Sequence, residues 1–143
     1  MTETITADEL KFLCIGIDPG VNTGIAVYDM ETKGIISVNT VDIHIAMNRI
    51  SGNKELIKLV RFEDARLRKY ITGGREKLQG AGSIKRDCKI WEDYLTWLGI
   101  PFQMVAPKDN RTKLKADRFE VITGYLHSTN EHGRDAAMLV YGL

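Results

Sequence analysis

The chain has 143 residues, of which 43% are hydrophobic and 27% are charged, a composition typical of one globular domain rather than of a disordered chain. No apolar run reaches the roughly 20 residues that a transmembrane helix needs, and the first residues lack the pattern of a secretory signal, so we expect no membrane partner. The two cysteines, Cys14 and Cys88, are too few for a disulfide framework or a zinc site, which favours a reducing cytoplasm.

Positive charge is concentrated in two segments, although the formal net charge of the chain is only +1. Residues 66–89 hold eight basic and two acidic side chains, and residues 108–118 hold five basic and two acidic ones. The remainder of the chain is therefore net negative. This uneven distribution predicts a surface that binds a polyanion. A solvated helix face plus a charged loop is the alternative.

The first part of the chain predicts an antiparallel meander. Residues 1–10 are polar and lack hydrophobic periodicity, so we expect a flexible N-terminal arm before a single domain at 11–143. A continuous apolar run ends at Asp18, which is typical of a strand buried on both faces. A tight turn at 22–24 and a Lys-Gly turn then separate short strands. The three predicted strands lie at 12–17, 25–29 and 35–41.

The rest of the chain predicts alternating helices and strands. From Leu78 to Leu98 apolar residues recur every three or four positions, which indicates a long helix, and Gly99 and Pro101 end it. The other elements are a short helix at 44–57, a strand at 59–63, a loop at 64–74, a strand at 102–106, a short helix at 113–122 and a last helix at 132–142. A meander followed by such units implies an α/β fold, in which a mixed five-stranded sheet has helices on both faces.

Acidic residues stand at the ends of two predicted strands. Burying an unpaired carboxylate costs several kcal/mol, so folding alone gains nothing from Asp18 or Glu63 there. If the two strands are neighbours, both carboxylates emerge at one edge of the sheet. His132 and Asp135 are three residues apart and share one face of the last helix. Three carboxylates and an imidazole suit Mg²⁺ or Mn²⁺, and two such ions support phosphodiester hydrolysis.

Each of these residues also has an ordinary structural alternative. Asp18 is also suited to a turn, and Glu63 to an ion pair with Arg61 or Arg66. His132 is also suited to the solvent-exposed start of the last helix, and Asp135 to an interaction with the dipole at its first turn. The joint occurrence of all four at the expected elements favours the site.

Three motifs together resemble a known family. Residues 15–20 (IGIDPG) with 23–26 (TGIA), residues 62–63 (FE) and residues 132–137 (HGRDAA) occur in this order. They resemble the motifs of RuvC-type Holliday-junction resolvases of the ribonuclease H-like superfamily. The resemblance covers about residues 12–142, and the compact size and divergent middle resemble phage-encoded members.

The resemblance implies a fold and an activity. The fold would be a ribonuclease H-like sheet, in which strands 1–3 form the meander and strands 4 and 5 are parallel. The protein would be a homodimer, held together through the helix around 78–98, that binds a four-way DNA junction and makes paired nicks. Each active site would use two Mg²⁺ ions, for which Mn²⁺ can substitute. The implied metal ligands, which are also catalytic residues, are Asp18, Glu63, His132 and Asp135.

The resemblance also places DNA contacts and catalytic lysines. Lys113 and Lys115, with Lys108, resemble basic residues that follow the family's fifth strand, one of which balances phosphate charge during cleavage. Gly80 and Gly82 would let a phosphate backbone approach closely, although a broken helix that begins at Ser83 is the alternative. The implied DNA-binding residues are Arg66, Arg68, Lys69, Tyr70, Arg75, Lys77, Gly80, Gly82, Lys85, Arg86 and Lys108.

One position departs from the family pattern. Bacterial members of the family carry an aromatic residue three positions beyond the second acid, where it stacks on an unpaired base. That position is Arg66 here. A guanidinium group also stacks on bases, and Tyr70 lies nearby in the sequence.

Three other functions compete with junction cleavage. A ribonuclease H-like nuclease that acts on RNA, hybrid or flap substrates would share the same metal chemistry. A non-catalytic DNA-binding protein with a relict site would not need the acids. An actin-like phosphate-binding domain also begins with an Asp-Gly loop, but such proteins need two domains around the nucleotide.

Overall fold

A computed structural model describes residues 4–67, 75–110 and 112–143, with the side chains of 75–81 outside that description. Its strands are β1 (Leu13–Asp18), β2 (Asn22–Asp29), β3 (Gly34–Asp42), β4 (Ile57–Glu63) and β5 (Phe102–Val105). They form one sheet in the order β3-β2-β1-β4-β5. The first three strands pair antiparallel, whereas β4 lies parallel to β1 and β5 parallel to β4. This topology confirms the predicted mixed sheet.

Helices cover both faces of the sheet, as predicted. They are α1 (Ile43–Gly52), α2 (Arg75–Leu98), α3 (Ala116–Thr123) and α4 (Glu131–Met138). On one face Ile15 and Ile17 pack in a core with Ile50 of α1 and Trp91 of α2. On the other face Ala26 and Val38 pack with Phe119 of α3 and with Ala136 and Ala137 of α4. Nowhere in the described part of the chain is a helix long and apolar enough to cross a membrane.

The turn between β1 and β2 lies earlier in the chain than predicted. Residues 22–24 are not a turn, because the β1–β2 ladder continues to the pair Asp18 and Gly24, and Asn22 pairs with Asp42 of β3. Pairing with β3, joined at Gly24 by pairing with β1, therefore extends β2 by three residues beyond its apolar stretch. The reversal falls on residues 19–21 instead.

Helix boundaries also differ from the prediction. Helix α1 ends at Gly52 and a separate 3-10 turn, Lys54–Leu56, leads into β4. Helix α3 begins at Ala116 rather than at residue 113, because Lys113 has a φ of +61°, which an α-helix does not accept. Helix α4 ends at Met138 rather than at residue 142. Helix α2 runs unbroken through both glycines, so the alternative start at Ser83 is wrong.

Glycines allow α4 to lie against the sheet. A Cβ atom added to Gly16 of β1 would overlap the backbone carbonyl of Ala136, and one added to Gly24 of β2 would overlap that of His132. The small residues of the 132–137 motif suit this close approach. The structure shows that the strands also contribute, because the helix backbone occupies the space of the missing side chains.

We expect Gly24→Ala to destabilise the protein, because the methyl group would meet helix backbone that cannot move aside independently of α4. Overpacking of this kind costs about 1–3 kcal/mol. Gly52→Ala is the matched control, since a Cβ atom there meets nothing within 4 Å. Urea denaturation of the two variants checks this. Equal midpoints would show that α4 does not depend on the close contact.

Candidate active site

The two acids at the strand ends lie side by side. Ile17 of β1 pairs with Phe62 of the parallel strand β4, and Asp18 and Glu63 are the next residues along each strand. Since strand residues alternate between faces, both acids share the face that carries Gly16 and therefore α4. The prediction that both carboxylates emerge at one edge of the sheet is confirmed.

Helix α4 brings the other two residues to the same edge. Its first turn is capped by the Asn130 side chain, which accepts a hydrogen bond from the Gly133 N–H at 3.4 Å. The His132 ring then lies with Nδ1 at 2.9 Å from Oδ2 of Asp18. Asp135, one turn further along, is 8% exposed. Its Oδ1 accepts a hydrogen bond from the Lys113 N–H at 2.8 Å.

Burial raises the pKa values of two of the acids. Burial raises the pKa of Asp18 from 3.8 to about 6, with further contributions from the charges of Glu63 and Asp135, while the hydrogen bond and charge of His132 oppose the rise. Burial also raises the pKa of Asp135, against the hydrogen bond from the Lys113 N–H. The Asp18 carboxylate therefore lies in a negative environment that His132 opposes.

The four side chains are of the kind that binds divalent cations, but in the described residues they are not arranged as a metal site. Within residues 4–67, 75–110 and 112–143, no group of three or more His, Cys, Asp or Glu side chains is arranged so that it could hold a metal ion. Among the same described residues, His132 lies within ion-pair distance of Asp18. No Lys or Arg side chain among them forms an ion pair with Asp135. Three carboxylates and an imidazole at one edge still match the chemistry of Mg²⁺ and Mn²⁺ ligands.

The side chain of Arg66 is bound within the protein. Its guanidinium group donates to both oxygens of Asp64, at 2.7–3.1 Å, and to a carboxylate oxygen of Glu92 on α2. Burial alone would raise the pKa of Asp64, but the hydrogen bonds and charge of Arg66 hold it below its usual value. DNA contact by Arg66 stays a prediction, and it would involve a guanidinium group that two carboxylates already hold.

The other predicted contacts fall into three groups. Lys108, Lys113 and Lys115 have exposed side chains after β5, and α2 exposes Gly82 and Arg86, with Lys85 half-buried. Arg68, Lys69 and Tyr70 lie outside the described residues. Arg75, Lys77 and Gly80 belong to α2, but their side chains are not described. A catalytic role for Lys113 and Lys115, and DNA contact by the other residues, stay predictions.

Sequence reasoning missed Asn110. Its Nδ2 donates to Oε2 of Glu63 at 3.0 Å and to the backbone carbonyl of Asp135 at 3.1 Å. A single asparagine in a polar segment belongs to no periodic pattern and to none of the three motifs. Only the folded chain reveals that it contacts both β4 and α4.

Two solved structures of Thermus thermophilus RuvC match this fold. One, "T. thermophilus RuvC in complex with Holliday junction substrate", has a TM-score of 0.61 and 15% identity, and the match covers 90% of this chain and 89% of that chain. The chain has the RuvC fold. The second, "Thermus thermophilus RuvC structure", has a TM-score of 0.52 and 14% identity, and the match covers 89% of this chain and 90% of that chain.

The RuvC likeness is one of structure alone. No family model matches the sequence, and no curated protein matches it. At 14–15% identity, likeness to RuvC shows the predicted ribonuclease H-like fold and nothing about the reaction. The case for an activity therefore depends on the residues at the edge of the sheet.

We expect Asp18→Asn to stabilise the metal-free protein at neutral pH. Because the folded-state pKa is raised from 3.8 to about 6, ionisation of Asp18 lowers stability as the pH rises through this range, and the loss is complete above it. The loss is at most about 3 kcal/mol, since one pKa unit corresponds to about 1.4 kcal/mol.

Chemical denaturation in EDTA at pH 7.5 and pH 4 measures this effect. The gain of Asp18→Asn over the parent protein should be present at pH 7.5 and absent at pH 4. Asp42→Asn, at an exposed acid before α1, is the control and should change little at either pH. A loss of stability at pH 7.5 in Asp18→Asn would show that its hydrogen bond to His132 outweighs its burial.

Proposed function

We propose that the chain is a divalent-metal-dependent endonuclease that cuts four-way and other branched DNA junctions. The observation that carries the proposal is the meeting of Asp18, Glu63, His132 and Asp135 at one edge of the sheet. The fold supports it, because one of the matched structures is a RuvC in complex with a Holliday junction substrate. We place the activity in a reducing cytoplasm, where the buried free thiols of Cys14 and Cys88 would persist.

The acids would hold Mg²⁺, or Mn²⁺ in its place, with two ions per site. When bound, such ions activate water and neutralise charge on the phosphate. Asp18, Glu63 and Asp135 would supply carboxylate oxygens, and His132 an imidazole nitrogen. A carboxylate has about four acceptor sites, so the hydrogen bonds that now hold these acids do not exclude a cation. Hydrogen-bonded carboxylates are usual among metal ligands.

Basic side chains would bind the DNA on either side of these acids. The Lys113 N–H donates a hydrogen bond to Asp135, so its exposed side chain is a candidate to balance charge on the phosphate. Lys115 and Lys108 are exposed in the same stretch, and Arg86 is exposed on α2. Because such binding releases counterions, affinity should fall steeply with salt concentration.

We also propose a homodimer formed through α2. Trp91 and Leu95 are buried in the core, whereas Trp97 on the same helix is 79% exposed and Ile90 is 40% exposed. An exposed tryptophan is costly in water and is enriched at protein interfaces. A second copy of the chain, joined helix to helix, would cover these side chains and place two sites on one junction.

We expect Asp18→Asn and Glu63→Gln each to lower junction cleavage by about 100-fold or more, since each removes a charged ligand. Junction affinity should hold or rise, because one source of repulsion against phosphate is removed. Asp42→Asn is the control and should cleave normally. The measurement is a denaturing gel of labelled four-way junction with and without Mg²⁺, paired with a binding assay in Ca²⁺.

The same gel tests the alternatives, with duplex, flap and RNA–DNA hybrid substrates alongside the junction. Paired symmetric nicks on the junction alone support resolution. Cleavage of the hybrid or flap would favour a different ribonuclease H-like nuclease. The open spacing of the acids in the described residues favours a second candidate, a non-catalytic junction-binding protein. That candidate predicts tight binding, no Mg²⁺-dependent nicks and no effect of Glu63→Gln.

We expect Trp97→Glu to weaken the dimer at least 30-fold, about the effect of losing an interface hot spot. Val121→Glu is the matched control, because Val121 is 76% exposed on α3. Sedimentation equilibrium over a concentration series measures both variants. A parent protein that remains monomeric at all concentrations, or equal dissociation constants in both variants, would contradict an α2 interface.

A further inference from the structure

Asn110 connects two parts of the candidate site that are distant in the sequence. Its side-chain nitrogen donates to Oε2 of Glu63, at the end of β4, and to the backbone carbonyl of Asp135, in the middle of α4. A primary amide nitrogen carries two N–H groups, so both donors are used. Because both partners are acceptors, only the orientation that points the amide nitrogen toward them satisfies both.

The chain around Asn110 is itself attached to α4. The Lys113 N–H donates to Asp135 Oδ1 at 2.8 Å, and Nε of Arg134 donates to the Leu114 carbonyl at 2.7 Å. Asn110 also follows a 3-10 turn, Pro107–Asp109, that leads out of β5. Its backbone is therefore held on both sides, and its amide reaches Glu63 from a defined position.

The amide is suited to this place because it is neutral. Glu63 and Asp135 both add to the negative charge around Asp18, and the Asn110 amide donates a hydrogen bond that helps to hold the Glu63 carboxylate beside the other acids. An amide donates hydrogen bonds to the carboxylate without neutralising it.

We infer that Asn110 is a positioning residue, which holds the Glu63 carboxylate toward α4 so that it can share a cation with Asp18 and Asp135. This inference rests on the proposed metal-dependent cleavage. It goes beyond that proposal because it assigns a role to a residue that lies outside all three motifs. Asn110 is expected to act through Glu63 and not through contact with DNA.

The test uses Asn110→Ala and Asn110→Leu, of which the second keeps nearly the original size but has no donor. The control is Asn53→Ala, which removes a comparable amide hydrogen bond, from Nδ2 to the Arg49 carbonyl at 2.7 Å. Circular dichroism verifies that each variant is folded. Mn²⁺ titration of the DNA-free protein, junction affinity, and single-turnover cleavage at saturating junction are then compared.

Both Asn110 variants should bind Mn²⁺ about tenfold more weakly and cleave about 10- to 100-fold more slowly, as is usual when a partner of a metal ligand is lost. Junction affinity should stay within about twofold, which separates positioning from DNA contact. The Asn53→Ala control should match the parent protein in all three measurements.

A double-mutant cycle tests the route through Glu63. In a Glu63→Gln background, Asn110→Ala should cause no further loss of the remaining Mn²⁺ affinity, because the carboxylate that it orients is gone. An equal loss in both backgrounds would overturn the inference, as would normal metal binding and cleavage in both Asn110 variants. A parent protein that neither binds Mn²⁺ nor cuts any substrate would instead overturn the proposed function.

Discussion

The close contact of α4 with β1 and β2 decides where the site residues lie. Gly16 and Gly24 have no side chains, and the carbonyls of Ala136 and His132 occupy that space. This contact sets the depth at which α4 rests on the sheet, and it therefore places His132 within hydrogen-bond distance of Asp18. The same helix packs Ala136 and Ala137 against Ala26 and Val38 of the sheet, so core packing holds it in that place. The candidate site thus depends on a packing constraint that involves no catalytic group.

Adjacent acids at the end of β4 serve different purposes. Glu63 faces α4 and joins the cluster of carboxylates, whereas Asp64 is 1% exposed and bound by Arg66, which also contacts Glu92 of α2. The pKa of Asp64 lies below its usual value, while the pKa of Asp18 lies above it. The difference follows from the partner. Arg66 compensates the charge of Asp64 within the protein, whereas Asp18 has a histidine on one side and two further acids nearby.

Helix α2 combines a core element with an exposed surface. Its predicted apolar stripe contributes Cys88, Trp91 and Leu95 to the core. Tyr94 lies at its margin and donates to the Met47 carbonyl at 3.0 Å. Trp97 is left in solvent. Trp91 lies on the apolar stripe whereas Trp97 does not, and the folded chain buries the first and exposes the second.

The sequence by itself determined the five strands and the three motifs, because these features depend on neighbours along the chain, and the order of the elements implied the mixed sheet. Apolar runs, turn residues and the acids at strand ends are all local. Tertiary structure decided the reach of Asn110 to Glu63, the binding of Arg66 by Asp64 and Glu92, and the left-handed Lys113 that places its N–H on Asp135. It also extended β2 back to Asn22. Most of these features join residues far apart in the chain, and their free energy arises only once the sheet and α4 have come together.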